Sequence, residues 1–558
     1  MTRSPSTPGR NHAEHEGEAR AGADGERRRS FIVVGAGTAG CIVARRLVEA
    51  GHRVTVFEAG AYDENPAIHQ VSRLGELWHS PEDWDYRTVP QAHSDGRVIH
   101  WPRGRVMGGS HALNAAIWVR GAAADYDGWA DDGCPGWSWA DVQPWFEALE
   151  DYTPAPGETP AQTRGHGGPI PVRQDYRLNP IFASIIEAAG QVGVAYNPDY
   201  NAGDQEGISQ QQINVRDDRR FNTWMAFLKP VVDNPLLTVI TGAVIQRLVL
   251  EGNTVVGVEY APLDDPDREG REERAEEVIL CAGALDSPKI LLRSGIGPAH
   301  HLEELGLPVL ADLPVGENLH DHLLAPVIAE TTTREIEHPG TDWSVTQTHL
   351  FWRSDPELPL PDTQPIHFSV PMYDDGMDGP ASAFTLHAGL VRPYSRGTLR
   401  LTGPRVSDPA EMDPEIFSDP RDLAALIASL RQARAMVAAP ALAGDWGAVE
   451  VYPGAEVADQ AAEEAYVKRW VTTYHHQVGT CRMGTGPDAV VSPEDLRVHG
   501  LDGLRVIDAS VMPTVPTGNT NAPTAMIASK GVGAVLGEPR PFVAVPSTGD
   551  MYGDTHEG

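Results

Sequence analysis

The sequence predicts an α/β fold in which a dinucleotide-binding unit is interleaved with a second unit. Three observations carry that reading. A Gly35-x-Gly37-x-x-Gly40 run sits between two β-branched segments, a second strand-then-helix signal stands near the end of the chain, and the middle has a different strand-and-loop texture. At 558 residues the chain also exceeds the size at which one hydrophobic core keeps growing, so at least two units are expected.

Taken in order, Phe31–Val34 is a short apolar run ended by Gly35, and Val54–Phe57 is another, so both read as buried parallel strands. Between them Ala39, Val43, Leu47 and Ala50 recur at three- and four-residue spacing, and Gly51 supplies a helix stop. Leu237–Ile240, Val255–Tyr260 and Val278–Cys281 read as further strands, and Leu423–Val437 has a helical period. Leu504–Ile507 then reads as a strand, and a Pro-, Thr-, Gly- and Asn-rich loop leads to Pro523, which suits a helix's first turn. The acid- and proline-rich stretches 264–274 and 354–365 read as surface loops.

Composition narrows the partners. A formal net charge of -34 makes nucleic acid and anionic membrane surfaces poor partners, and no apolar stretch of about 18 residues exists to span a bilayer. Cys41, Cys134, Cys281 and Cys481 show no C-x-x-C spacing, which fits a reducing cytoplasm. Residues 1–29 carry no apolar run and read as a disordered tail. Arg27–Arg29 superficially look like a twin-arginine signal, but the following apolar run stops at Val34.

Each glycine of the run has a task. The first allows the tight turn, the second lets backbone approach a pyrophosphate, and the third lets helix and strand pack closely, with the helix N-terminus facing the phosphates. Glu58, ending the second strand, suits ribose hydroxyls and would repel a 2'-phosphate, so FAD and NAD fit better than NADP. A second glycine loop, Pro102 to Asn114, lets backbone amides approach an anion or a planar ring.

That loop, continuing through Val119-Arg120-Gly121, resembles the first signature of the glucose-methanol-choline (GMC) oxidoreductase family. Gly283 to Pro288 with Ser294 to Pro298, Val315 to Leu319, His476 to Gly484 and Asp508 to Pro513 resemble its later landmarks, so the likeness runs from residue 31 to about 535. It is strongest toward the choline dehydrogenase-like branch.

The resemblance implies a Rossmann-type FAD-binding domain interleaved with a substrate-binding domain built on an antiparallel sheet, α+β overall. The implied division is 30–160, 226–322 and 478–541 for FAD, 161–225 and 323–477 for substrate, and 542–558 as a flexible tail. FAD would meet Gly35, Gly37, Thr38, Ala39 and Gly40 at the turn, with Glu58 and Ala59 at the ribose. Arg103, Val106, Gly108, Gly109, Ser110 and Asn114 would come from the second loop, and Val244, Ala282 and Gly283 from the middle. Asp508, Ala509, Asn519 and Thr520 would close the site from the carboxy-terminal side.

His476 matches the family's catalytic histidine and Asn519 its second active-site residue. Hydride leaves an alcohol carbon more easily as the hydroxyl proton departs, so a base is needed at the oxygen, and imidazole suits that role near neutrality. Asn519 cannot titrate but can hydrogen-bond the same oxygen. The implied reaction is oxidation of a small-molecule alcohol to an aldehyde or ketone, with hydride passing to flavin N5 and electrons onward to oxygen or another acceptor. An FAD-containing lyase of the same fold is the alternative.

Several features have plainer readings. His475 flanks His476, and His320-Asp321-His322 looks like a metal constellation but matches a metal-free landmark, so no metal is expected. Leu113 stands where some choline-oxidising relatives carry the histidine bonded to FAD, so a noncovalent flavin is expected. His111 is expected to fill space, Trp129, Trp137, Trp139 and Trp145 to form core, and Ser110 beside His111 lacks the G-x-S-x-G elbow of a hydrolase. Substrate identity and oligomeric state are not legible.

Overall fold

The computed structural model describes residues 27–337, 340 and 344–541. Most of the expected amino-terminal tail and all of 542–558 lie outside the described residues. Of residues 27–29, Arg27 pairs with Glu276 and Arg29 with Glu277.

Ser30–Val34 forms β1, Thr38–Glu49 α1 and Arg53–Glu58 β2. Leu237–Thr241 (β3), Glu277–Leu280 (β4) and Leu504–Val506 (β5) complete a five-stranded parallel sheet in the order β3-β2-β1-β4-β5. Buried on both faces, β1 and β4 read as continuous apolar runs rather than as alternation. Gly35 turns the chain at φ +96, and a Cβ on Gly40 would stand 1.8 Å from the Gly35 carbonyl oxygen, so both positions require glycine. Cys281 falls just outside β4, and helix α2 follows at Gly283–Arg293. The last helix, α3 (Asn521–Leu536), starts two residues before Pro523, which occupies its first turn.

The second layer is an eight-stranded antiparallel sheet among the described residues. Its main path runs Ala448–Tyr452, Ile328–Thr331, Ala383–Leu390, Ile366–Phe368, Thr346–Phe351 and Gly207–Gln210. Leu323–Ala325 joins it through Leu390, and Thr472–Thr473 pairs with Leu323–Ala325. Helix Pro420–Val437 backs this sheet, with the Gly389 amide donating to Ser429 Oγ. It begins three residues ahead of the expected Leu423, because the Asp419 side chain caps the Arg421 amide and Pro420 fits the first turn.

One loop assignment changes. Within 264–274, Arg271–Arg274 pairs as the outer strand of a meander with Ala243–Glu251 and Thr254–Pro262; its charged side chains suit an edge. The tryptophans pack as core: Trp129, Trp137 and Trp145 are buried and Trp139 lies against them. Among the described residues no helix is long and apolar enough to cross a membrane.

Candidate active site

A cavity of about 1090 Å³ runs between the two sheets. At one end Gly35, Gly37, Thr38, Ala39, Glu58 and Ala59 line it, joined by Val244, Ala282 and Gly283. Gly37 precedes α1 with no side-chain cap and no acid follows in the first turn, so the leading amides face the cavity unpaired by side chains. Such an end suits an anion such as a pyrophosphate. Glu58 is buried, its two oxygens accepting the Ala36 and Gly60 amides at 2.9 Å, and burial pushes its carboxyl up to about 7.

At the other end stand Arg103, Gly109, Ser110, Asn114, Asp508, Ala509, His476, Asn519 and Thr520. Helix α3 starts here, again with no side-chain cap and no acid in its first turn, so its positive end opens on the same cavity. The glycine loops meet in the middle, where a Cβ on Gly109 would stand 2.7 Å from Gly37 Cα. Two uncapped helix ends, a buried carboxylate beside the first and paired glycine loops between them fit a bound flavin dinucleotide.

Three expected contacts stand behind the wall instead. Gly40 packs on Gly35, Val106 lies in a small core with Ile68 and Leu77, and Gly108 donates its amide to the Ala36 carbonyl at 2.8 Å. Asp508 reaches the cavity, but its oxygens cap α2 through the Gly283 amide (2.8 Å) and Ser287, and hold Ser510. Ser110 Oγ accepts the Gly104 amide, and His111 is fully buried, its ring 3.3 Å from Asn521 Nδ2.

Strand pairing assembles the chemistry. Leu323 stands opposite Thr473, and the Tyr474 amide donates to the His322 carbonyl at 2.9 Å. This sets His322 beside His476, Nδ1 to Nδ1 at 2.9 Å. The His476 amide donates to Asp321 Oδ1 at 2.7 Å, and Gln477 and Thr473 hold the other oxygen of that carboxylate. On its far side, His476 Nε2 receives Asn519 Nδ2 at 3.2 Å. Gln364, fully buried, donates Nε2 to Asn519 Oδ1 at 3.2 Å and so orients that amide.

The electrostatics keep the imidazoles of this cluster neutral. Burial, then His322, His475 and Arg103, hold the His476 imidazole well below its usual range. Burial, reinforced by Arg392 beside His322 and by Arg103 beside His475, drives these two imidazoles to about 3, and burial lifts Asp321 to about 6 against the opposing pull of Thr473 and Arg103. Tyr474 stacks on His476 with centroids 4.8 Å apart, and Trp78 meets His475 edge-on at 5.3 Å. His475 and His387 line the cavity with Nδ1 atoms that have no partner among the described residues.

His320-Asp321-His322 does not converge on one point. His320 Nδ1 bonds the Asn318 carbonyl at 2.6 Å and its Nε2 accepts the Val515 amide, while His322 turns to His476. Sequence reading missed His322 as the partner of His476, and it missed Gln364 altogether. The Asp321-His322 pair lay inside a recognised landmark, but nothing around Gln364 marked it.

A parallel dinucleotide sheet and a buried imidazole-amide pair sharing one cavity define an oxidoreductase built around a dinucleotide cofactor. The chain belongs to the GMC oxidoreductase family, whose amino-terminal and carboxy-terminal profiles match residues 29–324 and 393–528. It is 34% identical over 535 residues to the alcohol dehydrogenase (acceptor) of Pseudomonas putida, covering 91% of this chain and 95% of that one. It is 35% identical to mitochondrial choline dehydrogenase of Mus musculus, covering 91% and 90%. The solved pyridoxine 4-oxidase from Mesorbium loti superposes with a TM-score of 0.83 at 34% identity, covering 90% of this chain and 98% of that one. The protein is therefore an FAD-dependent oxidoreductase of the choline dehydrogenase-like kind.

Proposed function

We propose that the protein oxidises a small-molecule alcohol to an aldehyde or ketone, with His476 as general base and Asn519 as its partner at the substrate oxygen. The observation that carries this is the buried, neutral imidazole whose Nε2 faces the cavity beside the Asn519 amide. Bound FAD would supply the oxidant, accepting the hydride from the alcohol carbon.

The protein's own groups do the rest. Gln364 presents the donor side of Asn519, so in the resting site Nε2 of His476 is an acceptor and the ring's proton sits on Nδ1, toward His322. An entering hydroxyl takes over both groups: Nε2 receives its proton as the C–H bond breaks, and Asn519 Nδ2 donates to the oxygen. Proton and hydride together leave a C=O bond. His322, neutral and buried, accepts from Nδ1 and so favours the imidazolium that forms.

The cofactor contacts expected at Gly35, Gly37, Thr38, Ala39, Glu58, Ala59, Arg103, Gly109, Ser110, Asn114, Val244, Ala282, Gly283, Asp508, Ala509, Asn519 and Thr520, which line the cavity, and the domain division given above belong to the same proposal. So do noncovalent attachment, oxygen or another acceptor as electron sink, and a cytoplasmic site suited to four buried, unpaired cysteines.

Anaerobic mixing of the flavoprotein with primary, secondary and aryl alcohols tests the reading. Bleaching of the flavin absorbance with carbonyl product supports it; turnover with permanently oxidised flavin overturns it in favour of a lyase. Acid precipitation should release the flavin into the supernatant, and yellow colour retained in the pellet would refute noncovalent attachment.

A further inference from the structure

Residues 79–103 gather four donor groups at the rim of the cavity. Tyr86–Arg87 and His100–Trp101 pair as an antiparallel ribbon with Arg87 opposite His100, so the segment leading into the ribbon lies beside that histidine. Asp83 anchors it. Its buried carboxylate accepts the Asp85 (3.0 Å) and Arg103 (2.9 Å) amides on Oδ1 and the His79 amide (3.0 Å) on Oδ2.

On that braced frame His79 Nδ1 stands 2.7 Å from Asp85 Oδ1, and His100 Nε2 stands 3.1 Å from both Asp85 Oδ1 and Asp83 Oδ2. The two imidazoles stack with centroids 3.9 Å apart. One ligating atom from each of His79, Asp83, Asp85 and His100 lies within 4.8 Å of the other three.

We propose that these four residues bind one divalent transition-metal ion, zinc being the best match, through two imidazole nitrogens and two carboxylate oxygens. Mixed nitrogen and oxygen donors suit a borderline cation, and two carboxylates balance its charge. A tetrahedral ion with bonds of about 2.0–2.1 Å separates its ligand atoms by about 3.3 Å. The closest spacings, 2.7, 3.1 and 3.1 Å, fall just short of that value and all four atoms lie within 4.8 Å of one another, so an ion needs only small side-chain shifts. Asp83 and His100 form the inner half of the site, while His79 and Asp85 are exposed and leave a path of entry. Because Trp78 precedes His79 and packs on His475, an occupied site would brace the wall next to His476.

The full-length flavoprotein, stripped with a chelator, is titrated with zinc by calorimetry, and its zinc content is counted by atomic emission after gel filtration. One equivalent per chain is expected. His79→Asn tolerates the positive φ of 59 at that position, and His100→Gln removes the inner imidazole. Each should weaken binding by at least the roughly 10–100-fold that loss of an outer-shell partner costs. Flavin absorbance and melting temperature report that the variants are folded, and His79→Asn alone decides the matter should His100→Gln fail to fold. No saturable equivalent, or one of undiminished affinity in folded His79→Asn, overturns the site.

Discussion

His322 and His476 face each other Nδ1 to Nδ1 across 2.9 Å, although 154 positions separate them in the chain. Burial keeps His322 neutral, so it serves as an acceptor where a carboxylate would otherwise be used. His476→Ala should retain FAD and slow anaerobic flavin reduction by about 100- to 10,000-fold in stopped flow. His322→Ala should cost roughly tenfold or more and alter the pH profile of reduction. His322→Asn, which can keep an acceptor near the same point, should recover part of the loss; equal rates in the wild type, His322→Ala and His322→Asn would remove His322 from the mechanism.

Gln364 has one evident task near the site, fixing which end of the Asn519 amide meets His476. Gln364→Leu leaves Asn519 Oδ1, partly buried on the cavity wall, without that donor, a loss of up to about 1–3 kcal/mol. The expected result is a fall in the reduction rate of about tenfold with FAD affinity unchanged. A variant that loses flavin instead would place Gln364 in cofactor binding.

Glu58 ties the ends of two strand-to-loop turns through the Ala36 and Gly60 amides. In Glu58→Ala both amides lose their acceptor, and in Glu58→Gln one of them meets a donor. Both variants should bind FAD at least about tenfold more weakly while reducing at a near-normal rate once saturated. Fluorescence titration of FAD, paired with stopped flow, separates the two effects.

A base whose imidazole is held well below 6.5 needs no deprotonation near neutrality. Flavin reduction at saturating alcohol should therefore stay level from pH 8 down to pH 6.5 and fall only below that, as His476 gains a proton. A rate that declines with an apparent pKa of 6.5 or higher would contradict the buried, neutral base.

Stability should respond to acid for the same reason. Burial holds His111, His322, His349, His367 and His475 near 3 and His387 near 4, so below about pH 6.5 the unfolded chain binds protons that the folded one does not. Each such group removes about 1.4 kcal/mol per pH unit. Glu58, near 7, and Asp321, near 6, act in the opposite sense, gaining stability as the pH falls through those values. The histidines outnumber them, so the melting temperature of the flavoprotein should drop steadily between pH 6.5 and 5 in a calorimeter. A flat profile would mean that these rings are solvated.

How much of this was legible depends on the range of each signal. The βαβ unit could be read because Gly35, Gly37, the α1 period and Glu58 all fall within 24 residues. Motif likeness further placed His476 and Asn519. It overreached at Gly40 and Gly108, since a glycine kept for close packing and one kept for a ligand look alike in sequence, and at Val106, whose apolar side chain packs into a small core. The His322-His476 contact depends on Leu323 facing Thr473, and the Gln364-Asn519 contact on the fold of the antiparallel sheet. Pairing across more than a hundred residues leaves no mark in a single sequence. The early start of α3 followed a subtler cue, because Asn521 is held by the Thr38 hydroxyl at 2.7 Å.

That last bond joins the first helix of the parallel sheet to the last, and β5, at the sheet's edge, is laid down from residues 504–506. During synthesis the ribosome releases the glycine turn early, but the opposite wall cannot form until the final strand and helix have emerged. Cofactor capture is thereby set as a late event in biogenesis. A nascent chain stalled before residue 504 would expose an unfinished sheet to chaperones and proteases, whatever the integrity of its amino-terminal half.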